Sequence, residues 1–133
     1  MVDTMGWLLA VCITPASVQD RDGAKLLLEQ VRDQFPRLRT IFADGGYAGQ
    51  LVGWVEATCG WLLEIVKKVS AGFEVLPKRW IVERTFAWLT RYRRTARDYE
   101  LQPDTVEAMT YAAMVHLMTR RFAKQQRALP VIN

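Results

Sequence analysis

At 133 residues, with half of them hydrophobic and 24% charged, the chain has room and composition for a buried core, which excludes a wholly disordered tail. No apolar run reaches the roughly 20 residues of a membrane helix, and the apolar stretch at residues 7–13 follows Asp3 instead of a basic flank, so no signal peptide is read. Cys12 and Cys59 lack CxxC spacing and the single His116 lies far away, so neither a zinc site nor a disulfide scaffold is suggested and a reducing cytosol is the default compartment. The net charge of +4 is uneven: through Pro77 seven Lys/Arg stand against nine Asp/Glu, and from Lys78 onward eleven stand against five. A basic C-terminal part points toward a polyanion such as nucleic acid, although solvated Lys and Arg are common on any helix.

In chain order, residues 8–14 (LLAVCIT) form a short apolar run with β-branched members, stopped by Pro15, and predict a buried strand. A helix is predicted over residues 20–35, where Ala24, Leu27, Leu28, Val31 and Phe35 recur at helical spacing before Pro36. A second strand is predicted at residues 39–43, a helix at 48–59 and a third strand at 61–69. A turn at Ala71-Gly72 leads to a short extended piece at 73–76. The remainder predicts two helices, 78–98 and 104–124, with Asp104 and Glu107 spaced as a capping box at the start of the second. This order is α/β, a sheet covered by helices. One domain over 1–124 with a tail at 125–133 is the simplest division. A strand starting within eight residues of the N-terminus has no earlier strand to pair with except at an edge, which suggests further sequence upstream.

Two acidic positions carry the most chemistry. Asp44 ends a predicted strand and is followed by two glycines. Ligands bind outside the carboxyl ends of strands in open α/β sheets, and glycine there permits a sharp turn and close approach. Asp-Gly-Gly also reads as an ordinary polar turn. At 100° per residue, Ile81, Thr85, Trp88 and Tyr92 fall opposite Glu83, while Arg79, Thr90 and Arg94 share its face. Arg79, four residues before Glu83, can pair with it and fix its carboxylate. An isolated surface ion pair of this kind contributes little to stability.

The wording ADGGY at residues 43–47 and RWIVERTFAWL at 79–89, with Val2-Asp3-Thr4 before the first apolar run and Thr14-Pro15-Ala16-Ser17 after it, closely resembles DDE transposases of bacterial insertion sequences. The resemblance extends from about Met1 to Phe122. It implies a ribonuclease H-like fold, a mixed sheet flanked by helices, here N-terminally truncated and followed by two C-terminal helices. It implies DNA transposition, with metal-dependent cleavage and strand transfer of insertion-sequence ends. By resemblance Asp44 is the second metal-binding Asp and Glu83 the final Glu. The implied cofactor is Mg²⁺ or Mn²⁺, held by hard carboxylate oxygens, and a pair of such ions serves both oxygens of an in-line displacement. A wider motif of the group runs Tyr, two residues, Arg, three residues, Glu, six residues, Lys. Arg79 and Glu83 match it, whereas Leu76 and Thr90 replace the Tyr and the Lys. Arg91 or Arg94 is a candidate for the DNA-contacting role of that Lys.

The family's first Asp lies on an earlier strand, upstream of Val-Asp-Thr. Asp3 is instead read as a turn residue, and Asp20 and Asp22 as carboxylates favouring a helix N-terminus. With two of three carboxylates, the expectation is a chain that is catalytically incompetent alone, either truncated or one half of a split transposase. Double-stranded DNA, an upstream reading-frame product supplying the first Asp, and a second copy of the chain are the candidate partners, in a bacterial cytoplasm near the nucleoid. Arg84, Arg91, Arg93, Arg94 and Arg97 follow Glu83 as candidate phosphate contacts. Trp80, Phe86, Trp88 and Tyr92 read as core packing in preference to stacking on an unpaired base. Met109, Ala113 and Leu117 read as a core stripe with His116 structural beside it, and Arg120, Arg121, Lys124 and Arg127 as a solvated basic end. The alternative reading is a non-catalytic DNA-binding module of the two C-terminal helices, although residues 99–103 exceed the usual turn of a helix-turn-helix.

Overall fold

A computed structural model describes residues 1–66, 79–97 and 102–127. The chain divides into two compact units, Met1–Thr85 and Phe86–Asn133. The first is mixed α/β and the described part of the second is helical.

The first unit begins with a segment folded back on itself. Leu9 N–H donates to Met1 O (3.0 Å), Asp3 N–H donates to Trp7 O (2.9 Å), and Val2 and Leu8 form an isolated antiparallel bridge. Asp3 holds the turn between them: its Oδ1 accepts from Met5 N–H and Trp7 N–H, both at 2.8 Å. The strand expected over 8–14 is therefore not found as such, since only Leu8 is bridged and residues 9–14 carry no strand. An apolar β-branched run specifies a buried extended segment, whereas a strand also needs a second backbone in register. Here the residues just before the turn supply the only pairing partner among the described residues for Leu8.

Helix α1 (Asp20–Val31) buries Leu28 and Val31. It stops at Val31, short of the expected Phe35, and Gln34 N–H closes a turn onto Val31 O (2.9 Å); Pro36 disfavours helical backbone at Phe35 itself. Strand β1 (Thr40–Asp44) pairs in parallel with β2 (Leu62–Val66), Thr40 opposite Leu62 and Asp44 opposite Val66. A parallel pair requires a crossover, and α2 (Gln50–Cys59) provides it. Gly60 ends α2 in the left-handed region (φ 67°), with its N–H returned to Glu56 O at 3.0 Å. The core gathers Leu28, Val31, Leu51, Val55, Trp61 and Leu63, with Val55 at 0% exposure. Full burial of each such aliphatic side chain stabilises the fold by about 1.5–3 kcal/mol. The expected turn at Ala71-Gly72 and the extended piece at 73–76 lie outside the described residues.

Helix α3 (Arg79–Leu89) spans the division between the units, which falls after Thr85. Ile81, Thr85 and Leu89 are buried at successive helical turns, and Glu83 is exposed on another face. The single helix expected over 78–98 is two. After α3 the backbone turns, Tyr92 is extended (φ −96°, ψ 126°), and α4 covers only Arg93–Ala96. Thr90 Oγ1 donates to Ala87 O (3.1 Å), and Thr95 Oγ1 bonds Leu89 O across the break. Such hydroxyls compete with the helical ladder, and Thr and Tyr are indifferent helix formers. Periodicity alone does not register that competition.

In the second unit, α5 (Pro103–Arg127) packs against α4. Pro103 takes the first helical position, where its missing N–H costs nothing. Asp104 is therefore inside the first turn and not the cap, so the expected capping box is displaced; Gln102 O accepts from Thr105 N–H at 3.0 Å instead. The buried stripe runs through Thr110, Ala113 and Met114, with Met109 and Leu117 half-buried. Thr110 Oγ1 satisfies itself on Val106 O (2.8 Å). Among the described residues no helix is long and apolar enough to cross a membrane.

Candidate functional site

Asp44 is the last residue of β1, at its carboxyl end, and its carboxylate is exposed. The chain immediately enters a one-turn 3-10 helix, Gly45–Tyr47, for which Asp44 is the cap: Oδ1 accepts from Gly46 N–H at 2.9 Å. A Cβ on residue 46 would stand 3.1 Å from that oxygen, tighter than ordinary contact. The second glycine of ADGGY therefore lets the backbone lie close against the carboxylate and fix it. Among the described residues Oδ2 has no protein hydrogen bond, which leaves one oxygen of a hard donor facing solvent.

Two neighbours of Asp44 escaped sequence reasoning. Burial pushes the Tyr47 phenol above its ordinary value of 10.0, and the negative charges of Asp20 and then Asp44 add to the shift. Tyr47 thus marks Asp20, in the first turn of α1, as lying on the same side as the Asp44 turn. Asp20, Gln19, Val18 and Arg21 line a shallow groove with Gly46. The helix-start reading of Asp20 and Asp22 is kept in the sense that both sit in the first turn of α1, where the helix dipole favours carboxylates, and Asp22 pairs with Lys25 at 3.8 Å. Neither is the cap itself, since Gln19 precedes the helix. The Tyr in ADGGY was the only available signal, and it says nothing of a partner twenty-seven residues earlier.

Glu83 is exposed on α3, in the same compact unit as Asp44. Arg79 opens α3, but its side chain lies outside the described residues, as does Leu76. Among the described residues no three His, Cys, Asp or Glu side chains gather as a metal ion requires. Asp3 is committed to its turn by two backbone hydrogen bonds.

The five candidate phosphate contacts do not share one helix. Arg84 lies on α3, half-buried, where Nη2 donates to Met5 O (2.7 Å) and the guanidinium stacks 4.3 Å from the Trp80 ring centroid. Beside it, Thr85 Oγ1 donates to Gly6 O at 2.7 Å while remaining 3.0 Å from Ile81 O. This pair ties α3 to the N-terminal turn. Arg91 occupies the turn after α3, Arg93 and Arg94 form α4, and Arg97 follows it; all four are exposed. Because the helix breaks, Arg94 no longer continues the helical face of Glu83. Of the aromatic residues expected in the core, Trp88 and Tyr92 are half-buried, whereas Trp80 and Phe86 are exposed, Phe86 at 63%. Tyr92 meets the His116 ring edge-on at 5.6 Å.

No curated protein and no solved structure matches the chain. A family model described as the transposase DDE domain matches residues 1–118. With a carboxylate fixed at the end of β1, an acidic residue on α3, and a match over most of its length, the chain belongs to the DDE transposase family.

Proposed function

We propose that the chain serves DNA transposition, with Asp44 and Glu83 as two of the carboxylates that hold Mg²⁺ or Mn²⁺ in a ribonuclease H-like site. Membership in a transposase family implies DNA as the substrate. The observation that carries the reading is Asp44 itself: an exposed carboxylate at the end of a parallel strand, fixed through Oδ1 by Gly46 N–H. The donor chemistry suits a hard divalent ion. The donor number does not reach three among the described residues. A bound metal pair would supply an activated nucleophile and stabilise the leaving oxygen.

The protein's own residues have simpler tasks. Asp44 and Glu83 present oxygens, Arg79 orients Glu83, and Arg91, Arg93, Arg94 and Arg97 offer phosphate contacts. Two carboxylates hold Mg²⁺ more weakly than three, so on this reading Asp44 and Glu83 by themselves support DNA nicking poorly.

The test is a calorimetric Mn²⁺ titration of the chain, Asp44→Ala and Glu83→Ala. Each substitution is expected to abolish binding while leaving salt-sensitive DNA binding intact. Metal binding unchanged in both variants contradicts the site. Efficient nicking of terminal-repeat DNA by the chain alone, abolished in Glu83→Ala, contradicts the weak-activity claim. The second reading, a non-catalytic DNA-binding module, is favoured by the exposed arginines of α4 and its flanks. It predicts DNA binding with no effect of either carboxylate on metal.

A further inference from the structure

The basic end of α5 is exposed, as the sequence suggests, and the fold sets it beside a groove. A groove of about 700 Å³ opens within the second unit, floored by Trp88, Tyr92 and Leu117. Its walls carry Arg91 from the turn after α3 and Arg120, Arg121, Lys124 and Arg127 from α5. Among the described residues no carboxylate lines it, and α5 bears no Asp or Glu after Glu107. Five cations thus gather along one groove, which raises the positive potential there.

Interaction with the helix dipole explains only part of this. Cations in the last turn complement the carbonyl end of a helix, which accounts for Lys124 and Arg127. It does not account for Arg120 and Arg121, further back, nor for Arg91 on another element. Arg121 is moreover held in place, its guanidinium 3.8 Å from the Trp88 ring centroid. A stacked guanidinium loses less freedom on meeting a phosphate than a solvated one.

We propose that this groove binds the sugar–phosphate backbone of one strand of duplex DNA, through Arg91 and the α5 cations. The proposal rests on the transposition reading for its choice of polyanion. The α5 cations lie within eight residues, Arg120 to Arg127, and their seven helical steps rise about 10 Å, comparable to the axial rise of about three phosphates on one strand. Contacts of this kind position DNA without reading its sequence. The groove thus extends the phosphate contacts offered by Arg91, Arg93, Arg94 and Arg97 onto α5, on residues that are not metal-binding carboxylates.

The experiment measures affinity for a random-sequence DNA duplex against salt concentration. The chain is compared with Arg120→Gln/Lys124→Gln, both exposed residues, with Arg120→Lys as the charge-conserving partner and Arg37→Gln in the first unit as control. Losing two phosphate contacts is expected to lower the slope of log affinity against log salt by about 1.8, so that the affinity loss between about 50 and 200 mM salt shrinks about 12-fold. Arg120→Lys and Arg37→Gln are expected to keep the parent slope. An unchanged slope in the double variant, or an equal fall in Arg37→Gln, overturns the proposal. Asp44→Ala and Glu83→Ala separate the two ideas: loss of metal binding with the slope kept supports the site and leaves the groove to stand or fall on its own variants.

Discussion

The two compact units of the chain divide its chemistry. Met1–Thr85 carries ten Lys/Arg and ten Asp/Glu, encloses an apolar core around Val55, and contains both Asp44 and Glu83. Phe86–Asn133 carries eight against four and buries few residues along α5, chiefly Thr110, Ala113 and Met114. The neutral unit carries both candidate carboxylates and fixes that of Asp44, and the basic unit gathers cations. A rigid core holds a ligand at a set position, as an acid that must meet a metal requires. Phosphate binding tolerates looser placement because charge acts without strict geometry.

Packing offers the largest contrast to break. Leu51→Ala in the core is expected to destabilise the first unit by about 2–5 kcal/mol, whereas Val115→Ala, exposed on α5, is expected to change stability by no more than about 0.5 kcal/mol. Chemical denaturation of both variants checks this, and equal effects would show that the core does not lie where described. Next is the tie between α3 and the N-terminal turn. Thr85→Val leaves the buried Gly6 carbonyl without the hydroxyl it accepts from, at a cost of about 1–3 kcal/mol, read from the shift in denaturation midpoint.

These two positions also show what the sequence discloses. The strands near 40–44 and 62–66, the helix between them and the helix bearing Glu83 follow from periodicity and from Pro and Gly punctuation, whereas the parallel pairing of the two strands is seen only in the fold. The link from Thr85 to Gly6 is likewise not legible, because it joins residues 79 apart through one hydroxyl. The break at Thr90–Tyr92 was hidden for a related reason: apolar spacing carries on through it while the Thr hydroxyls redirect the backbone. The turn that Asp44 caps was legible because ADGGY encodes local geometry. The proximity of Asp20 to Tyr47, and the groove lined by Arg91 and α5, were not, since both depend on segments brought together only by folding.

A smaller effect tests how far Gly46 serves Asp44. Gly46→Ala places a Cβ 3.1 Å from Oδ1 and disturbs the hydrogen bond that orients the carboxylate. On the metal-site reading, affinity for Mn²⁺ should fall about tenfold with the fold intact, the lower end of effects seen when a ligand's supporting contact is lost. Unaltered affinity would make the glycine a turn residue and nothing more. The smallest effect is the pH dependence of Tyr47. Its folded phenol titrates above 10.0, so its contribution to stability is complete below that pH and is lost as pH rises through the folded value. Tyr47→Phe should therefore flatten the decline of stability above pH 10, and an unchanged decline would remove Tyr47 from that neighbourhood.

The central claim is that Asp44 and Glu83 serve one metal. Loading the chain with Fe²⁺ in place of Mg²⁺ and generating hydroxyl radicals cuts the backbone beside the bound ion. The account predicts cuts near both residue 44 and residue 83, with both sets lost together in Asp44→Ala and again in Glu83→Ala. Cuts that cluster elsewhere, or that persist in both variants, would contradict it.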